Sequence, residues 1–113
     1  MRPKNLRIMG KDYKVQHISR LDQVNTTGSG QAYYAQIDYP GANIRIFSDL
    51  SKFDYLHSIL HEAMHGISVA LNLELNENQV DLAALGVANL LLDNKMLHPE
   101  FNADKPKQVE TVA

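Results

Sequence analysis

The chain of 113 residues contains no cysteine. Disulfides, thiolate zinc sites and cysteine nucleophiles are therefore all excluded. No apolar run approaches the ~18 residues that a membrane span needs, and no targeting signal is visible near the N-terminus, so we expect a cytoplasmic protein that is not membrane-bound. The 11 basic and 13 acidic residues give a formal net charge of −2 without any long basic run. That balance argues against a nucleic-acid partner.

Apolar residues make up 44% of the chain, which is enough for a packed core. The length suits one domain and is too short for two independent cores. We therefore predict a single domain over residues 1–113. Prolines and charges are frequent near the C-terminus, so residues 94–113 are predicted to form an extended tail.

Alternating apolar and polar residues predict strands in the first half of the chain. One hairpin is expected from residues 6–8 and 13–17, and a second strand pair from residues 31–38 and 43–47. The polar, glycine-containing stretch 22–30 between the two pairs is predicted to be a loop. These strands would form a small, twisted, mostly antiparallel sheet.

The second half of the chain predicts two long helices. Asp49 or Ser51 can cap the first helix, and Ser51 with Asp54 three places on resembles a capping box. Asn76 with Gln79 starts the second helix, which ends near Asn94. The first helix has an apolar stripe formed by Leu56, Leu60, Ala63, Met64, Ile67 and Leu71. The expected buried face of the second is formed by Val80, Ala83, Ala84, Val87, Leu90 and Leu91. The fold class is therefore α+β, with the sheet packed on two helices.

The first predicted helix contains the pentapeptide His61-Glu62-Ala63-Met64-His65. Residues four apart on a helix lie one turn apart on the same face, so both imidazoles can bind one ion. This pattern is typical of zinc sites, in which the glutamate takes a proton from water without being a ligand. The sequence therefore predicts Zn²⁺ bound by His61 and His65, with Glu62 as general base.

A zinc site of this kind needs a third protein ligand. Glu77 begins the second predicted helix, twelve positions after His65, and a tight connection would return it to the histidine face. Asp81 lies one turn further along the same face, where it would accept a ring N–H from a ligand histidine. Both residues have simpler interpretations, since glutamate favours helix N-termini and aspartate is common on solvated helix surfaces.

The segments 60–66 and 76–81 together resemble the gluzincin zinc metallopeptidases, and in particular the minimal single-domain and compact phage-type members. In that family two histidines and a downstream glutamate bind zinc, with an asparagine before the glutamate and an aspartate four positions after it. Asn76, Glu77 and Asp81 match. The resemblance implies a zincin-like fold and peptide-bond hydrolysis. Larger gluzincins carry a second domain that supplies a further catalytic residue, and this chain has no room for one.

The resemblance also implies a substrate-binding strand ahead of the metal helix. An extended peptide or protein substrate would pair with the sheet edge at Tyr33, Tyr34 and Ala35 through backbone hydrogen bonds. His57 is expected at the rim of the same cleft. In some minimal members a terminal segment blocks the cleft, and residues 102–113 are a candidate for that role.

Three alternatives remain at this point. His57 is four residues before His61, so these two histidines have the same spacing as His61 and His65 and form a rival ligand pair. The protein could instead be a non-catalytic, metal-stabilised module that binds a peptide or protein, such as one of phage origin. It could also be a small interaction domain that binds no metal.

Overall fold

The computed structural model describes residues 2–99. The elements run in the order β1 (Asn5–Ile8), β2 (Lys11–Ile18), a short 3-10 helix (Leu21–Gln23), β3 (Ala35–Asp38), β4 (Asn43–Phe47), α1 (Lys52–Leu71) and α2 (Glu77–Asp93). The strands form one sheet in the order β1-β2-β4-β3. The predicted α+β class is confirmed.

Both predicted strand pairs form antiparallel, while the central pair, β2 and β4, is parallel. The sheet is therefore mixed, with two antiparallel pairings and one parallel pairing. β3 begins at Ala35, not at residue 31 as predicted. The register places Ala35 opposite Ile46, so residue 34 lies opposite Phe47, the last residue of β4. Residues 31–33 consequently have no β4 residue opposite them.

The predicted helix starts are confirmed. The Ser51 side chain accepts a hydrogen bond from the backbone N–H of Asp54 at 3.2 Å. At α2 a full capping box forms: Asn76 Oδ1 accepts from the Gln79 N–H at 2.8 Å, and Gln79 Oε1 accepts from the Asn76 N–H at 2.9 Å. These bonds satisfy N–H groups that a helix start would otherwise leave free, and they fix where α2 begins.

The core lies between the sheet and α1. Its buried members are Ile8, Tyr13, Val15, Ile44, Ile46, Leu50, Tyr55, Leu56, Ile59 and Ala88. Helix α2 packs mainly on α1. It forms the outer layer, and its first turn lies against the part of α1 that carries the predicted histidine ligands.

Two details of the predicted helix faces are wrong. In α1, Leu71 is exposed, while Glu62 and Gly66 are buried because that side of the helix approaches the sheet. In α2, Ala83 and Leu90 are exposed. The buried residues of α2 are Val80, Ala84 and Ala88, a narrow strip with a spacing of four, because α2 contacts mainly one neighbouring helix.

Only the first part of the predicted tail falls within the described residues. Positions 94–99 contain turns but no strand or helix, and Leu97 packs against the core. The candidate blocking segment, 102–113, lies outside the described residues. Within residues 2–99, neither helix has the length and apolar character that crossing a membrane would require.

Candidate metal centre

Helices α1 and α2 bring three predicted ligands together. The Glu77 carboxylate lies between two imidazoles, with Oε2 3.0 Å from His61 Nε2 and Oε1 2.7 Å from His65 Nε2. The two Nε2 atoms are 3.2 Å apart. The histidine side chains are only 15% and 26% exposed, whereas Glu77 is 71% exposed. One nitrogen from each histidine and one carboxylate oxygen thus converge at a shallow, partly buried point.

The position of Glu77 follows from the local turn chemistry. Helix α1 ends with Asn72 in the left-handed conformation (φ 56°), and Glu74 has φ 57°. These two residues reverse the chain within the connection 72–76. The capping box at Asn76 then makes Glu77 the first residue of α2. Its carboxylate therefore faces the C-terminal half of α1, where it meets His65 and, one turn earlier, His61.

Asp81 lies one turn into α2 and contacts two histidines. Its Oδ1 atom is 3.0 Å from His61 Nδ1 and 3.1 Å from His57 Nε2. A proton on His61 Nδ1 would be donated to Asp81, which leaves Nε2 of the same ring facing Glu77. The structure thus places Asp81 beside a histidine as expected, and also brings His57 to it.

Glu62 faces the sheet. It is 8% exposed and is not among the side chains whose ligand atoms converge with those of His61. Burial raises the pKa of its carboxyl to about 7. His61 opposes this rise, the Glu77 carboxylate adds to it, and a hydrogen bond from the Ile37 backbone N–H opposes it. The side chain is therefore held between α1 and β3, next to the histidines.

Two clefts flank the cluster. One, of about 400 Å³, is lined by the predicted substrate-binding residues Tyr33, Tyr34, Ala35 and His57, together with His61 and Asp81. The other, of about 440 Å³, lies on the His65 side. Tyr33, Ala35, Glu62 and Glu77 line both. The four predicted contact residues are thus brought together in one cleft beside the candidate metal centre, and Tyr33 and Ala35 also reach the other.

Among residues 2–99, β3 pairs in the sheet with β4 alone, so it borders the clefts as an edge strand. The Phe47 N–H donates to the Tyr34 carbonyl at 2.8 Å. In an antiparallel pair, hydrogen-bonded residues alternate along the strand, so positions 34, 36 and 38 pair with β4. The backbone groups of Ala35 and Ile37 therefore point away from β4, toward the free edge.

Tyr39 is a site residue that the sequence did not predict. It lines the second cleft with Glu62, His65 and Glu77. Burial raises the pKa of its hydroxyl, with further increases from Glu62, Tyr13 and Glu77. The period-two alternation of β3 was the available signal: positions 35, 37 and 39 share one face.

Among residues 2–99, two groups of three side chains have ligand atoms close enough to share an ion: His61, His65 and Glu77, and His57, His61 and Asp81. Two imidazoles and one carboxylate form a donor set that suits zinc. Comparison of the chain with known protein families, curated proteins and solved structures found no match. The case for function therefore depends on the geometry and on the motif.

Proposed function

We propose that this protein is a zinc-dependent peptide hydrolase with a gluzincin-type ligand set. One observation carries the proposal. The Glu77 carboxylate lies 3.0 Å and 2.7 Å from the Nε2 atoms of His61 and His65, beside a buried Glu62. Two histidines from one helix and a glutamate from the next are the ligands that the sequence motif predicts.

The donor chemistry fits a zinc site with three protein ligands. His61, His65 and Glu77 would hold the ion, and Asp81 would keep His61 oriented through Nδ1. The exposure of Glu77 leaves the solvent side of the cluster accessible, as a catalytic site requires. Bound zinc would polarise the scissile carbonyl and lower the pKa of a water molecule. That water could then lose a proton near neutral pH and attack the carbonyl carbon.

Glu62 is the proposed general base. Its carboxylate would take a proton from the attacking water and pass it to the leaving amine nitrogen. The Ile37 N–H holds the side chain in place, and burial between α1 and β3 limits its alternative rotamers. Glu62 lines both clefts, so a peptide bond lying across the cluster would be within its reach.

An extended peptide along β3 is the proposed substrate. Ala35 lines both clefts, and its backbone N–H and C=O point away from β4. Backbone hydrogen bonds to this edge would align the peptide, while Tyr34 and His57 would contact substrate side chains in one cleft and Tyr33 in both. A cytoplasmic location stays a prediction from the sequence.

Zinc content and peptide cleavage test the proposal together. Purified protein should contain about one zinc per chain, and Glu77→Ala should lower that content. On a mixed peptide library, Glu62→Gln should keep zinc and lose at least ~100-fold in cleavage rate, since general bases contribute roughly 10²–10⁴-fold. Glu74→Gln is the matched control, because Glu74 is exposed and lines neither cleft.

Other results would contradict the proposal in distinguishable ways. If the parent protein takes up zinc but neither it nor Glu62→Gln cleaves any peptide, the site belongs to a metal-stabilised binding module. If the parent binds no zinc after reconstitution, the protein is a small interaction domain. Equal cleavage by the parent and Glu62→Gln would rule out Glu62 as the base.

A further inference from the structure

A second group of ligand atoms lies on the other side of His61. His57 is one turn earlier on α1, and its Nε2 atom lies 3.1 Å from Asp81 Oδ1. The same oxygen is 3.0 Å from His61 Nδ1. His61 is therefore shared: Nε2 faces Glu77 and His65, while Nδ1 faces Asp81, which His57 also contacts. All three members of the second group are half-buried.

The environment of His57 Nε2 is unusual. Within residues 2–99 this nitrogen is buried and makes no hydrogen bond of acceptable geometry, although it is close to Asp81. A buried polar atom without a hydrogen bond is energetically unfavourable and needs an explanation. A cation held between the imidazole and the carboxylate would provide the missing interaction for His57 Nε2.

The charge of the adjoining cleft favours a cation. The cleft of about 400 Å³ next to His57 is lined by the carboxylates of Asp54, Glu77 and Asp81, together with the buried carboxyl group of Glu62. None of the described residues that line it is a lysine or an arginine. A cleft lined with one sign of charge raises the local concentration of counter-ions. Asp81 is 46% exposed, which gives an ion access from solvent.

We propose that His57, His61 and Asp81 form a second site for a divalent transition-metal ion, adjacent to the first and sharing His61 with it. Two imidazoles and a carboxylate suit zinc, cobalt or copper. When both sites are filled, His61 bridges the two ions through its two nitrogens, and its ring proton leaves to solvent. In the hydrolase proposed above, on which this part rests, the second ion would inhibit peptide cleavage. Asp81 would then bind the ion and no longer accept the hydrogen bond that orients His61.

Titration of the metal-free protein with Co²⁺, followed by calorimetry and visible absorption, tests the proposal without any activity assay. The parent should bind about two ions with different affinities. His57→Gln and His57→Ala should lose the second binding event, weakening it by more than ~10-fold, and keep the first. Ser58→Ala is the matched control, since Ser58 lines the same cleft and supplies no imidazole; it should behave like the parent.

The Glu77→Ala variant separates the two sites. Glu77→Ala should lose ion binding at the first site, which His57→Gln keeps. It should keep ion binding at the second site, which His57→Gln loses. Binding of one ion by the parent, unchanged in both His57 variants, would overturn the second site and leave the first intact. Binding of one ion that is lost with His57→Gln but kept in Glu77→Ala would support the second site and contradict the proposed hydrolase. Circular dichroism on each variant checks that the helices are retained.

Discussion

The close approach of α1 to the sheet depends on Gly66, the residue after His65. A Cβ atom built at this position would lie 3.2 Å from Ile8 Cγ2 and 3.5 Å from Ile37 Cδ1. Gly86 in α2 offers the matched comparison, because a Cβ there would meet no atom within 4 Å. Both glycines lie inside helices, so Gly66→Ala and Gly86→Ala change helix propensity alike and differ in packing alone.

The expected magnitudes follow from these contacts. Replacing a mid-helix glycine with alanine gains about 0.5–1 kcal/mol, and Gly86→Ala should show that full gain. At Gly66 the added methyl must displace Ile8, a β-branched residue that is 6% exposed. Overpacking of this kind costs about 1–3 kcal/mol. Since the required shift is a few tenths of an ångström, the low end applies, and Gly66→Ala should be close to neutral or mildly destabilising.

Urea unfolding of the two variants beside the parent measures the difference. The free energy of unfolding should rise for Gly86→Ala and stay level or fall for Gly66→Ala, a gap of about 1 kcal/mol or more between the variants. Equal stabilisation by both substitutions would show that Ile8 gives way freely. The spacing of α1 from the sheet, and with it the contact between Glu62 and Ile37, would then not depend on Gly66.

Three further predictions concern the cap, a histidine outside the site and the metal. Asn76→Ala should lower the free energy of unfolding by about 1 kcal/mol and weaken zinc binding, whereas Asn76→Asp should do neither, because it keeps the acceptor for the Gln79 N–H. Burial and Arg2 lower the pKa of His17 below its model-peptide value of 6.5. Its contribution to stability should therefore be complete above pH 6.5 and decline as the pH falls toward the lowered pKa. The free energy of unfolding measured against pH for the parent, minus that for His17→Gln, should show this decline. Coincident curves for the two proteins would contradict it. Zinc at about 100 times its dissociation constant should raise the free energy of unfolding by about 2.7 kcal/mol, and a chelator should reverse the rise; no change on zinc addition would contradict binding to the folded state.

The features that the sequence predicted well are local ones. Hairpins, caps and the His61–His65 pair each depend on residues within a few positions of one another, so short patterns specify them. The capping box at Asn76 and Gln79 is the clearest case, because two reciprocal hydrogen bonds define the start of α2 and the position of Glu77. The proximity of Glu77 to both histidines follows from that start and from a short connection.

The features that it did not predict depend on long-range packing. No local pattern specifies that β2 pairs in parallel with β4, since these strands are separated by a loop and by β3. The rotation of α1 that buries Glu62 and Gly66 requires knowledge of where the sheet lies. Tyr39 is near the carboxylates of Glu62 and Glu77 because the alternation of side chains between the two faces of β3 continues past Asp38. That continuation can be recognised only after the strand register is known.

The proposed metal and the docking of α2 are physically linked. The buried residues of α2 are one valine and two alanines, Val80, Ala84 and Ala88, and such small side chains remove little apolar surface from water. The N-terminal half of the same helix carries Glu77 and Asp81, both within 3.1 Å of imidazoles on α1. Ion binding would therefore add an attachment to a helix that buries little apolar surface, so much of the stabilisation by zinc should arise from holding α2 against α1.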